Sequence, residues 1–281
     1  MSGDTTGGMT GSPVRISFEH VSVSFPGRGP ESKPMRVVDD VSFEIHDREF
    51  VSVIGPSGCG KTTMMNMVAG FMQPTSGKIT LDYKPIAGPG PDRGVIFQEY
   101  GVFPWLTVQQ NIAFGLKLRA NRTDARTREE ICQRYMGLMG LAEFADAWPR
   151  TLSGGMRQRL ALARAYAVKP EFLLMDEPFG ALDAQTRSAM QDLLLKVLAA
   201  EGKTVMLITH SVEEAVYLSN RIIVMTARPT RIREIVAVPF AYPRTDALHE
   251  SREFGELRAH VRNLVMQEYA EQARQSQNQA T

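Results

Sequence analysis

The chain has 281 residues, 43% hydrophobic and 22% charged, with 32 Lys plus Arg against 31 Asp plus Glu. This is ordinary globular composition with length for one large domain or two smaller ones, and the balanced charge excludes a general attraction to nucleic acid or an anionic membrane. The two cysteines, Cys59 and Cys132, make no disulfide framework and fit a reducing cytoplasm, and no apolar run approaches the roughly 18 residues of a membrane-spanning helix.

Residues 1–13 are rich in Gly, Ser and Thr and carry neither a basic residue nor an apolar block, so they read as a disordered lead-in and not a signal peptide. Residues 16–25 and 41–45 alternate apolar with polar positions as half-exposed strands do, and the Pro- and Gly-containing stretch 26–34 between them reads as a surface loop. A third strand is expected at 50–54. A helix follows over residues 61–72, with Met64, Met67, Val68 and Phe71 on one face before Pro74 stops it. Methionines at that spacing read as core filling.

Residues 77–81 and 94–97 are expected to be short strands. From about residue 107 to 167 the period turns helical, interrupted near Pro149, which predicts an inserted helical subdomain. Strands at 171–175 and 204–209 with a helix at 184–200 between them give the alternation of a parallel sheet. Beyond strands at 221–225 and 231–238, the tail at 246–274 sets Leu257, Val261, Leu264 and Val265 at helical spacing, one packed amphipathic helix with a frayed end at 275–281.

Three motifs carry chemistry. Gly55-Pro56-Ser57-Gly58-Cys59-Gly60-Lys61-Thr62-Thr63 lies between a strand and a helix, the setting of a phosphate-binding loop. Its glycines let backbone N–H groups wrap phosphates, the helix N-terminus adds partial positive charge, Lys61 reaches the β- and γ-phosphates and Thr62 offers a hydroxyl to Mg²⁺. The apolar run ending in Asp176-Glu177 delivers two carboxylates to the C-terminal edge of a sheet. Alone it would serve equally as strand termination. Beside a phosphate loop it places Asp176 at Mg²⁺ and makes Glu177 the candidate general base, or the group that orients the attacking water. Ser153-Gly154-Gly155 opens a helix with apolar Leu160, Ala163 and Ala167, either a second anion-binding helix end or a plain helix cap.

With His210 isolated after the strand at 204–209, these motifs stand in the order and spacing of the ATP-binding cassette (ABC) transporter ATPases, and the chain resembles that family over most of its length, from about residue 14 to 238. The resemblance implies an α/β P-loop NTPase core with a parallel sheet, an antiparallel β subdomain and an inserted helical subdomain. It implies an ATPase domain over 14–240, its helical part at about 105–167, and a helical tail at 241–281. It further implies a head-to-tail dimer in which Ser153, Gly154 and Gly155 close over the γ-phosphate of ATP held by the other copy's loop. Gln98 falls at the position that touches Mg²⁺ and the water, His210 at the γ-phosphate contact and Asp183 at the dimer-contacting loop. Phe25 resembles the aromatic residue that stacks on adenine, where the family often has Tyr, and the loop after it is where an insertion would shift that register. Thr63 and Met156 depart from the usual Ser and Gln without removing a catalytic group.

The aromatic stretch Tyr100, Phe103, Pro104 and Trp105 either packs internally or, having the composition of an interface core, receives a short helix of a membrane partner. Together with Val224, Met225, Thr226, Ala227, Arg228 and Pro229 it is similar to the nitrate, sulfonate and taurine importer ATPases. The expectation is an ATPase on the cytoplasmic face of the inner membrane. It would power solute uptake through separate membrane subunits fed by a solute-binding protein, with no nucleic-acid partner. The alternatives are a soluble ABC ATPase acting on ribosomes or nucleic acid, and an export ATPase.

Overall fold

The computed structural model describes residues 12–27, 34–98 and 101–278, and its packing divides the chain into two units, Met1–Gly88 with Met206–Thr281, and Pro89–Val205. Most of the N-terminal lead-in and of the expected loop at 26–34 lies outside the described residues, as do Glu99, Tyr100 and the last three positions.

The first unit opens with β1 (Val14–Phe25), which pairs antiparallel with β2 (Met35–His46). Phe18 and Phe43 stack across the pair at 4.3 Å. β2 begins six residues before the expected strand at 41–45. Its alternation is broken by a bulge where His20 and Asp40 both take positive φ and their side chains meet at 2.8 Å. β3 (Phe50–Ile54) is buried along its whole length, as its largely apolar sequence requires, and the one polar residue, Ser52, shares a hydrogen bond with the Ser219 hydroxyl. The phosphate-loop sequence follows, then α1 (Lys61–Ala69). Gly70 in the left-handed region ends this helix, so Phe71 lies past it and is 51% exposed instead of sharing the buried face of Met64, Met67 and Val68. β4 (Ser76–Leu81) and β5 (Lys84–Pro85) complete a four-stranded antiparallel sheet in the order β2-β1-β4-β5.

In the second unit β6 (Arg93–Ile96) runs parallel to β7 (Phe172–Asp176), with Ile96 opposite Met175. Between them in sequence, α2 (Val108–Lys117), α3 (Ala125–Leu138) and α4 (Gly154–Ala167) pack on one another as the expected helical insertion. α5 (Ala184–Glu201) follows β7. Side chains of Thr107, Asp124, Ser153 and Asp183 cap the N-termini of α2 to α5 in turn.

The division falls within β8 (Thr204–Ile208). Back in the first unit, the seven-residue α6 (Val212–Leu218) is followed by β9 (Arg221–Met225), parallel to β3, and β10 (Ile232–Ala237), antiparallel to β9. The tail becomes α7 (Arg252–Asn278), with Phe254, Val261, Leu264 and Val265 buried. Among the described residues no helix is long and apolar enough to cross a membrane.

Candidate functional site

In the first unit, the loop after β3 is shaped by glycines at the positions that need them. Gly58 and Gly60 have φ of 71° and 129°, a region that costs a side-chain-bearing residue steric energy. A Cβ on Gly55 would lie 2.9 Å from the Met225 carbonyl oxygen. Lys61 is 7% exposed, and its Nζ donates to the carbonyls of Gly55 at 2.8 Å and Pro56 at 2.9 Å. The ammonium is thus folded onto the start of the loop.

The helix that this loop opens differs from α2 to α6, each of which begins with a side-chain cap. α1 begins at Gly60 with none, so no side chain of its own cap occupies its first amides. Thr62 is exposed in the first turn and Thr63 half-buried.

His210 belongs to this unit and is exposed directly after β8, whose end is joined to β3 by the Thr209 N–H donating to the Val53 carbonyl at 3.3 Å. Thr209 also donates its hydroxyl to Glu214 at 2.6 Å and accepts from the Ser211 N–H at 3.0 Å, which fixes the turn carrying His210. Phe25 ends β1 opposite Met35 and is 37% exposed, so it is not a core phenylalanine. Arg228 links that strand end to the loop. One guanidinium nitrogen lies 3.3 Å from the Met35 Sδ, and another donates to the Gly58 carbonyl.

In the second unit, Asp176 is the last residue of β7 and Glu177 follows it with φ 45°, a left-handed conformation that a glutamate adopts at a cost. The Nε2 of Gln98 donates to Glu177 Oε2 at 3.4 Å. The strand register explains the meeting, because Ile96 and Met175 are partners and each of the two residues lies two positions beyond. Ser153 lies exposed before α4, and its Oγ accepts from the Met156 N–H at 3.3 Å. The plain-cap role is therefore real, and the hydroxyl proton remains available to another acceptor. Gly155 has a packing reason of its own, since a Cβ there would stand 2.6 Å from the Thr186 methyl. Thr186 in turn donates to Asp183 and holds its carboxyl below the usual range.

The described part of the aromatic stretch packs within this unit. Phe103 stacks on Trp105, meets Phe114 edge-on at 4.5 Å and carries Arg164 over its ring at 4.0 Å. Asn111, fully buried, accepts from the Phe103 N–H and donates to the carbonyls of Phe103, Leu106 and Thr107, so it shapes the segment. Trp105 stays 66% exposed. Phe97, Phe114, Leu118, Arg164 and Val168 line a cleft of about 240 Å³. Asn111 and Arg164 were not among the expected functional residues. The only sign of Asn111 in the sequence is a polar residue on the buried face of a helix.

The family profile described as ABC transporter matches residues 38–180. A Brucella abortus protein named as ATP-binding is 52% identical over 93% of this chain and 97% of its own. The nitrate import ATP-binding protein NrtD of Synechococcus elongatus is 40% identical over 91% of this chain and 93% of its own. The taurine import ATP-binding protein TauB of Roseobacter denitrificans is 43% identical over 89% and 93%. Among solved structures, the dimeric post-hydrolysis state of the ATP-binding cassette MJ0796 with ADP and Pi superposes with a TM-score of 0.69 at 29% identity, over 80% of this chain and all of that one.

Proposed function

The chain belongs to the ABC transporter family and is an ATPase of the P-loop fold, and from that premise we propose that it powers import of a small solute through separate membrane subunits. The names of the nitrate and taurine import relatives support the direction of transport. They lend nothing to an export role or to action on ribosomes or nucleic acid.

In this reading Phe25 stacks on adenine, and the amides from Gly55 to Thr63 wrap the phosphates. Lys61 keeps a third ammonium donor for a phosphate oxygen beyond the two it gives to Gly55 and Pro56. Glu177 orients and deprotonates the attacking water, Gln98 holds that carboxylate in place, and His210 contacts the γ-phosphate. Thr62, Asp176 and Gln98 offer the hydroxyl, carboxylate and amide oxygens that Mg²⁺ takes, and when bound the ion neutralises phosphate charge. Among the described residues no three His, Cys, Asp or Glu side chains converge.

The observation that carries the catalytic reading is the contact between Gln98 and Glu177 at the ends of paired parallel strands. A second copy, for which the dimeric neighbour gives a precedent, would in the head-to-tail arrangement implied by the family resemblance present the Ser153 hydroxyl and the amides of Gly154 and Gly155 to the γ-phosphate. The cleft beside Phe103 and Trp105 would seat a short helix of the membrane subunit. In this reading the chain works peripherally on the cytoplasmic face of the inner membrane, downstream of a solute-binding protein. Co-purification with candidate membrane subunits, followed by ATPase assays, tests this. Stimulation on assembly is expected, and absence of both binding and stimulation would remove the transport role.

A further inference from the structure

We propose that Arg228, Thr230 and Gln272 are positioning residues for nucleotide binding that brace the outer side of the phosphate loop. Three consecutive carbonyls of that loop each accept from a side chain far away in sequence. Ser57 O accepts from Gln272 Nε2 at 3.1 Å, Gly58 O accepts from Arg228 and Cys59 O accepts from the buried Thr230 hydroxyl.

The physical consequence follows from the peptide unit. A carbonyl and the N–H of the next residue lie in one plane and point in opposite directions. Fixing the oxygens of Ser57, Gly58 and Cys59 therefore also fixes the direction of the N–H groups of Gly58, Cys59 and Gly60, that of Cys59 lying on the Pro56 carbonyl at 3.3 Å. Donors held in place before the ligand arrives lose less entropy on binding it. Glycines at 58 and 60 leave this stretch soft, so contacts from outside add to the order that Lys61 supplies at its start.

The braces come from two elements. Arg228 and Thr230 sit on the connection between β9 and β10, Arg228 within the stretch 224–229 that resembles the nitrate, sulfonate and taurine class and Thr230 directly after it. Thr230 is further fixed by its N–H donating to the Val37 carbonyl at 2.8 Å. Gln272 sits on α7, and one turn earlier Glu268 accepts from the Ala227 N–H at 3.1 Å. The C-terminal helix is thereby pinned to the same connection and reaches the loop. This gives the tail a part in ATP binding that its amphipathic pattern does not announce.

The proposal rests on residues 55–63 being the phosphate cradle, and its test separates the two. Binding of Mg²⁺-ADP to the full chain is titrated for Thr230→Val, Thr230→Ser, Gln272→Glu and Lys61→Ala, with KM and kcat for ATP measured alongside. Thr230→Val keeps the shape without the donor, and Gln272→Glu sets an acceptor against the Ser57 carbonyl. Each is expected to raise the ADP Kd and the ATP KM about five- to tenfold, the worth of one hydrogen bond, while kcat falls less than KM rises. Thr230→Ser is expected to restore affinity to within about twofold. Folded Thr230→Val and Gln272→Glu proteins with parental Kd, beside a weakened Lys61→Ala, would overturn the brace and leave the cradle standing. An unaltered Kd in Lys61→Ala would overturn the cradle and the brace with it. Because Gln272 is only half-buried, its variant decides the matter if Thr230→Val does not fold.

Discussion

Gln98 and Glu177 stand 79 residues apart in the chain and meet through a 3.4 Å hydrogen bond from Nε2 to Oε2. A contact this long is weak by itself. Its importance is geometric, because the positive φ of Glu177 sets the direction of its Cα–Cβ bond and Gln98 meets the carboxylate at the other end of the side chain. Glu177→Gln removes the proposed base while keeping the shape, so steady ATP turnover is expected to fall about 10²- to 10⁴-fold, with ATP binding retained and a nucleotide-bound dimer accumulating. Gln98→Ala should lower turnover by a smaller factor. Single-turnover assays with chromatographic sizing check both, and full turnover by Glu177→Gln would take the base role from Glu177.

Trp105 is 66% exposed yet held in stacking contact with Phe103, under which Asn111 fixes the backbone. A rigid exposed aromatic beside a cleft is suited to anchor a partner helix. Trp105→Ala is expected to weaken association with the membrane subunits about tenfold or more. Undiminished co-purification and coupling in this variant would move the docking surface elsewhere.

Arg244, 7% exposed, donates to the carbonyls of Val216, Tyr217 and Ser219 around the end of α6 and to that of Phe240. Removing it strands several buried acceptors at once. Arg244→Met is expected to destabilise the chain by about 3 kcal/mol, read as a shift in the denaturant midpoint. A change under about 0.5 kcal/mol would mean that water takes over the carbonyls.

Asp39 accepts from Arg231 at 2.9 Å and from Arg36 at 2.7 Å, and the Arg231 hydrogen bond, followed by that of Arg36, holds its carboxyl below the ordinary value against the opposing effect of burial. A depressed folded-state pKa adds stability above the unfolded value of about 3.9 and loses it as pH falls through the folded value. Asp39→Asn should therefore lower Tm at pH 7, with the gap to the parent closing below about pH 4. A gap independent of pH would show that the carboxylate's charge is not what matters.

Much of the fold was legible because its determinants are local. β3 and β9 are predominantly apolar runs, broken only by Ser52 and the leading Arg221, and they stand where the sequence puts them. β2 was read short because its bulge breaks the two-residue alternation, and α1 was read long because Phe71 keeps helical spacing past Gly70. The seven residues of α6 were not read as a helix at all. For the site, the residues alone suggested the phosphate loop and the two carboxylates, whereas Gln98 and His210 came only from the resemblance. Arg228, Thr230 and Gln272 were invisible as a set. They act on backbone carbonyls of residues 170 to 215 positions away, and such contacts leave no periodicity or motif.

The central claim is that this ATPase drives uptake. It is tested most directly by reconstituting the chain with its membrane subunits in vesicles, with the ATPase side in contact with ATP and the solute-loaded binding protein on the other side. The account predicts solute movement toward the ATPase side, dependent on ATP and abolished by Glu177→Gln. Movement in the opposite direction, or transport undiminished by that substitution, would contradict it.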